Sequence, residues 1–207
     1  MRNCTNFILE LKWAVSNVLR EAYMEHKLGI TTGGGFVPQK ELSALGDAIE
    51  YSPTRYPEIE RMIHGLNLSP NDVFGDFGCG KGRIVFCVAA QKLKKVIGVE
   101  LDPTLMDIAK KNLNSIKINN TPVEFFQGDA VHFDVTEGTV FYFYNPFGEK
   151  TFKAIIDNIK KSIDARPRPM RILYKNAILR TILDEAVWLI FDGQIEKTEI
   201  FVWRNRF

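Results

Sequence analysis

The 207-residue chain is 45% hydrophobic and 12% aromatic, enough to fill the core of one α/β domain with a short extension and to exclude global disorder. Its formal net charge of +2 does not indicate a nucleic-acid partner, because neutralising many phosphates takes a strongly basic face. Cys4, Cys79 and Cys87 form no Cys-x-x-Cys pair and His26, His64 and His132 no His-Glu-x-x-His spacing, which excludes a disulfide framework and a structural zinc site.

The chain begins with Phe7, Leu11, Val15, Val18 and Ala22 at helical spacing, which predicts an amphipathic packing helix over residues 5–28. Glu10 and Lys12 interrupt its apolar run, so no secretory leader is expected, and no apolar stretch is long enough to span a bilayer. With unpaired cysteines, this points to a reducing, cytoplasmic setting with neither metal nor membrane. Gly33, Gly34 and Gly35 break the chain, and residues 36–51 carry no clear pattern. Pro53 and Pro57 mark the start of a helix running to about His64, with Ile59, Met62 and Ile63 as its apolar positions.

From Asp72 onward strands and helices alternate. Strands are predicted at residues 73–77, 95–101, 123–127, 140–144 and 171–174, and helices at 83–91, 103–116 and 150–163. Asp102 is placed to cap the second of these helices. Residues 187–191 and 195–203 read as two further strands around an Asp192-Gly193 turn. This is an α/β pattern: a doubly wound, mostly parallel sheet of seven strands covered on both faces, closed by a C-terminal antiparallel hairpin. Residues 1–50 are expected to form a helical extension that caps the site, and residues 51–207 the domain itself.

Between the first strand and its helix stands Asp76-Phe77-Gly78-Cys79-Gly80-Lys81-Gly82-Arg83. A turn there lies at the carboxyl ends of the strands, where open α/β sheets bind ligands, and glycines let the backbone approach a ligand. A Walker phosphate loop fits from Gly75 to Lys81, but Gly82 replaces the Ser or Thr that would hold magnesium. A dinucleotide loop fails because its third glycine would fall on Arg83. Val96 to Glu100 then forms an apolar strand ending in an acid, and Asp129 follows the third strand.

The spacing Asp76-x-Gly78-x-Gly80-x-Gly82 resembles the first motif of the class I S-adenosylmethionine-dependent methyltransferases. The resemblance extends over about residues 51–203 and implies a Rossmann-like fold with S-adenosylmethionine as cofactor. It implies that Asp76 lies near the methionine part, that Gly78, Gly80 and Gly82 make room for the adenosyl part, that Glu100 accepts the ribose hydroxyls and that Asp129 contacts the adenine amine. Asn145-Pro146-Phe147 resembles the Asn/Asp-Pro-Pro-Tyr/Phe motif of enzymes that methylate exocyclic or amide amines, without its second proline. The same segment, with Tyr51-Ser52-Pro53-Thr54 ahead of the glycine loop, is similar to the non-SET histone-lysine methyltransferases of the disruptor-of-telomeric-silencing type. It is also similar to their small bacterial, archaeal and mitochondrial relatives. That likeness implies a protein lysine as acceptor, with Tyr51, Tyr144, Asn145 and Phe147 around its amine and Thr54 toward the cofactor. An acceptor amine on a small molecule or nucleobase stays open, as does a cofactor-binding module without catalysis.

Overall fold

The computed structural model describes residues 4–33, 51–118 and 120–207, with side chains from residue 15 onward. The expected glycine break at Gly34 and Gly35, the segment 36–50, and the side chains of Cys4, Phe7 and Leu11 lie outside the described residues.

Among the described residues seven strands form one sheet. They are β1 (Val73–Phe77), β2 (Lys95–Glu100), β3 (Val123–Gln127), β4 (Val140–Phe143), β5 (Arg171–Lys175), β6 (Leu189–Gln194) and β7 (Ile200–Asn205). Their order is β3-β2-β1-β4-β5-β7-β6, and within the sheet only β7 runs against the rest. The helices are α1 (Cys4–Leu28), α2 (Tyr56–Leu66), α3 (Arg83–Ala89), α4 (Pro103–Ser115), α5 (Glu149–Ala165) and α6 (Arg180–Asp184).

Successive strand residues point to opposite faces, and each face has its own core. Phe74, Val96, Val140, Tyr142 and Leu173 pack with Ile59 and Met62 of α2, Phe86 and Val88 of α3 and Met106 of α4. Phe77, Val99, Phe141, Phe143, Ile172 and Trp203 pack with Phe152, Ile155 and Ile159 of α5 and Leu183 of α6. Both faces are thus covered, which is why the parallel strands read as nearly unbroken apolar runs. The connections from β1 lead away to β2 and β3, and those from β4 lead the opposite way. Between β1 and β4 lies the switch point, where the loops diverge and leave a crevice.

Two expectations are corrected. Asp192 and Gly193 do not turn the hairpin. They lie inside β6, at a bulge where the register to β7 shifts between Phe191 and Gly193. A positive-φ glycine serves a bulge as well as a two-residue turn, so the sequence signal is shared. The chain turns later: Ile195 N–H donates to the Ile200 carbonyl at 2.9 Å, with Lys197 at φ 56°. The second correction concerns α1. Val15, Val18 and Ala22, expected to pack, face solvent. The helix docks instead through Asn17, Glu21, Met24, Glu25 and Leu28, because the buried cation of Arg83 requires carboxylate partners. The sequence pattern does not signal α6 or the short 3-10 turn Ala130–His132.

Candidate active site

The glycine loop leaves β1 at Phe77 and crosses the end of β2, where the amides of Gly78 and Cys79 both donate to the Val99 carbonyl, at 2.9 and 3.0 Å. Two of its glycines are fixed by close approach as well as by backbone conformation. Gly78 sits at φ 81°, where a Cβ would come within 2.3 Å of the Pro146 side chain. Gly80 sits at φ 53°, where a Cβ would meet the Tyr51 ring at 2.2 Å. The loop therefore touches both the segment after β4 and the Tyr51 segment, and any larger side chain would separate them.

Asp76, near the end of β1, is buried with no hydrogen bond to its carboxylate among the described residues. Burial pushes its carboxyl well above the usual carboxylate range, and the charge of Glu100 adds to the shift. Glu100 ends β2 and is buried too, but its oxygens are engaged. Oε2 accepts from Gly80 N at 2.8 Å, and Oε1 from Leu101 N at 2.8 Å and Asp102 N at 2.9 Å. Burial raises its pKa against the pull of those three amides. Asp102 caps α4 as expected, accepting from Thr104 N at 2.7 Å and Leu105 N at 3.0 Å. Asp129 stands apart at the surface, where it accepts from Val131 N at 2.9 Å and caps the 3-10 turn.

Tyr51 and Thr54 lie on the other side of the loop. The Tyr51 hydroxyl donates to the Thr32 carbonyl at 2.8 Å, its ring rests on Gly80, and burial pushes its pKa up. Thr54 is buried, its hydroxyl 2.8 Å from that of Tyr142 in β4. The polar face of α1 and the residues after it close over this region through Arg83. Its guanidinium, 4% exposed, pairs with Glu21 at 2.6 Å and Glu25 at 3.5 Å and donates to the Thr32 hydroxyl at 2.8 Å. It also reaches the Thr54 carbonyl at 3.3 Å and stacks 4.5 Å from the Tyr56 ring centre. Asn112 of α4 donates to the carbonyls of Thr31 and Lys81, each at 3.0 Å, tying the same arm to the loop.

The ends of β4 and β5 complete the edge. Asn145 is buried at φ 42°. Its Nδ2 donates to the Asn176 carbonyl at 2.7 Å, while its Oδ1, among the described residues, is a buried acceptor without a donor. Such an atom costs free energy unless something supplies an N–H or O–H. Tyr144 is half-buried, with the Lys175 ammonium 4.8 Å from its ring centre. Lys175 is itself buried against Glu58 at 2.7 Å. Burial would raise the Glu58 pKa, but Lys175 and Arg55 outweigh it and hold the carboxyl below its usual value. Phe147 is half-buried and edge-on to Phe143, with ring centres 6.3 Å apart.

Asp76, Gly78, Gly80, Glu100 and Tyr51 thus meet around one loop, with Gly82 at φ 85° capping α3. Thr54 joins them through Tyr142, whereas among the described residues the hydrogen bond of the Asp129 carboxylate goes to Val131. Sequence reasoning did not find Glu25, Glu58, Lys175 or Asn176. Arg83 was met as the residue that spoils a dinucleotide loop and as the arginine that ends the glycine motif, not as a buried cation. Among the described residues, no group of three or more side chains is arranged to hold a metal ion, and no helix is long and apolar enough to cross a membrane.

A family profile described as a methyltransferase domain matches residues 75–163. A protein of Dictyostelium discoideum named "Histone-lysine N-methyltransferase, H3 lysine-79 specific" is 33% identical over 55% of this chain and 7% of its own length. A protein-lysine N-methyltransferase of Saccharolobus islandicus is 29% identical over 44% of this chain and 57% of its own. The chain thus spans less than two thirds of either relative. Other relatives are named as ribosomal RNA and cobalt-precorrin methyltransferases. An RNA methyltransferase of Salinibacter ruber, solved with S-adenosyl-L-homocysteine, shares the fold with a TM-score of 0.51 and 23% identity, covering 74% of this chain and 92% of that one.

Proposed function

We propose that this S-adenosylmethionine-dependent methyltransferase methylates an amine, the side-chain amine of a protein lysine. The observation that carries this reading is the buried Oδ1 of Asn145, without a partner among the described residues, at the sheet edge where the glycine loop turns. An amide oxygen there seeks a donor, and an amine supplies one.

The residues around the loop fit the cofactor. Among the described residues Asp76 is a buried carboxylate without a hydrogen bond, so an ammonium or other cation beside it would satisfy it. Glu100 spends three of its roughly four lone-pair positions on backbone amides and keeps capacity on Oε2 for a ribose hydroxyl. Gly78, Gly80 and Gly82 supply backbone without side chains, and Thr54 and Tyr51 border the same loop. Asp129 would serve the adenine amine by exchanging its hydrogen bond to Val131. When bound, the cofactor supplies a methyl group already activated on a cationic sulfur.

The chain then has to align the acceptor and keep it unprotonated. Burial among Tyr51, Tyr144 and Phe147 disfavours the charged ammonium, which leaves the nitrogen lone pair free. Asn145 accepts one N–H and so directs that lone pair, but an amide oxygen is too weak a base to take the proton, which passes to solvent. Two features support an aliphatic amine over a planar base. Lys175 occupies one face of Tyr144, and Phe147 meets Phe143 edge to face, so each ring already spends part of its surface on a protein neighbour.

Asn145→Ala tests the reading. Turnover is expected to fall about 10²-fold through lost alignment, with cofactor affinity near wild type. Folding stability, cofactor affinity and single-turnover rate are measured on the same protein. Reduced stability with an unchanged rate per folded molecule would reduce Asn145 to a turn residue.

A further inference from the structure

We propose that Asn176 is a positioning residue that fixes the orientation of the Asn145 amide and so restricts the site to nucleophiles that donate a hydrogen bond. The inference rests on the role assigned to Asn145 above. Two neighbouring parallel strands each end in an asparagine with left-handed backbone: Asn145 follows β4 at φ 42° and Asn176 follows β5 at φ 49°. Few residue types tolerate that conformation, and asparagine is one of them.

The two are joined by a directed chain of hydrogen bonds. Asn176 N–H donates to the Glu199 carbonyl at 2.9 Å, which ties the turn to the start of β7. The Asn176 carbonyl accepts from Ile178 N at 2.7 Å and from Asn145 Nδ2 at 2.7 Å, so both its lone pairs are used. A terminal amide has two orientations that exchange oxygen and nitrogen. Facing a carbonyl, the flipped orientation would set two oxygens against each other and lose the bond. The Asn176 carbonyl therefore selects the orientation in which Asn145 Oδ1 points away from β5, where it remains buried without a partner among the described residues.

The chemical consequence is selectivity. The locked amide turns its acceptor away from β5 and holds its NH2 on the Asn176 carbonyl, which takes one of the two N–H donors. Its Oδ1 receives an amine N–H, and it offers nothing to an anionic oxygen or thiolate nucleophile, which needs a donor. Release of the lock would let the amide turn and present its NH2, removing both the alignment and the selectivity.

The test compares Asn176→Gly, which keeps the left-handed turn, with Asn176→Val, whose branched side chain disfavours it. Asn145→Ala and the double variant Asn145→Ala/Asn176→Val complete a cycle. Thermal midpoints check folding, and Asn176→Ala replaces the valine variant if that one fails to fold. The direct readout is the side-chain NH2 resonance of Asn145 in a 15N-labelled protein, assigned by its absence from Asn145→Ala. Slow exchange is expected in wild type and Asn176→Gly, and fast exchange in Asn176→Val. Single-turnover transfer to cell-extract protein should fall about tenfold in Asn176→Val at unchanged cofactor affinity, and Asn176→Gly should restore it. The double variant should be no slower than Asn145→Ala, since one lock acts through one amide. Unchanged NH2 exchange in Asn176→Val, or additive losses in the double variant, overturns the positioning role. A normal rate in Asn145→Ala overturns the underlying reading instead.

Discussion

Asp76 carries a charge that its surroundings resist. Its folded pKa lies above the unfolded value, which for aspartate is about 3.9. Between these two values the folded chain binds more protons than the unfolded one, so this group's contribution to stability falls as pH rises through that window. A cation bound beside Asp76 favours the ionised form. Cofactor affinity should accordingly rise with pH up to the folded pKa of Asp76 and level off above it, with proton release on binding below it. Asp76→Asn should bind more weakly and lose that pH dependence. Calorimetry at several pH values, in buffers of different ionisation enthalpy, measures both effects. Equal pH slopes in wild type and Asp76→Asn would contradict the assignment. Asp76, Glu100 and Asn145 were legible in the sequence because each stands next to a strand end at fixed spacing from the glycines. Asn176, Glu58 and Lys175 were not. Asn176 meets Asn145 across 31 residues of chain and Lys175 meets Glu58 across 117, and strand order, which local pattern does not encode, brings each pair together.

The N-terminal helix shows what apolar periodicity misses in an element. Val15, Val18 and Ala22, the described positions of the expected apolar stripe, stand exposed while two glutamates on successive turns face inward. Helical spacing was right, but the docked face was set by a buried arginine 58 residues further along the chain. Removing that arginine leaves Glu21, Glu25 and Thr32 without their common partner. Arg83→Met should lower unfolding free energy by about 3 kcal/mol, the lower end for breaking a buried pair, because Glu21 and Glu25 keep some solvent. Urea denaturation checks this. A loss below 0.5 kcal/mol, on the scale of ordinary surface substitutions, would mean that the arm is held by Leu28 and Ile30 in the core and not by its charges. The strands were read more accurately because period two and period 3.6 rarely imitate each other, whereas Asp192-Gly193 fits a turn and a bulge equally well.

For the molecule as a whole, the order β3-β2-β1-β4-β5-β7-β6 places the ends of β1, β2, β4 and β5 along one edge. One side of the switch point carries Asp76, the glycine loop and Glu100. The other carries Tyr144, Asn145 and Asn176. Gly78 against Pro146 joins them directly, so the glycine loop and the segment after β4 share a van der Waals contact. The α/β alternation made this architecture readable from sequence, while the contact between its two halves depends on side chains meeting at a glycine. The central claim is that this edge delivers a methyl group to a lysine amine. The purified chain, incubated with S-adenosylmethionine labelled in its methyl group and with cell-extract proteins, tests it most directly when the acceptor proteins are then hydrolysed to amino acids. Label in ε-N-methylated lysine, reduced about 10²-fold with Asn145→Ala, is the predicted result. Label confined to nucleosides or small molecules, or no transfer by a folded protein that binds the cofactor, would contradict it.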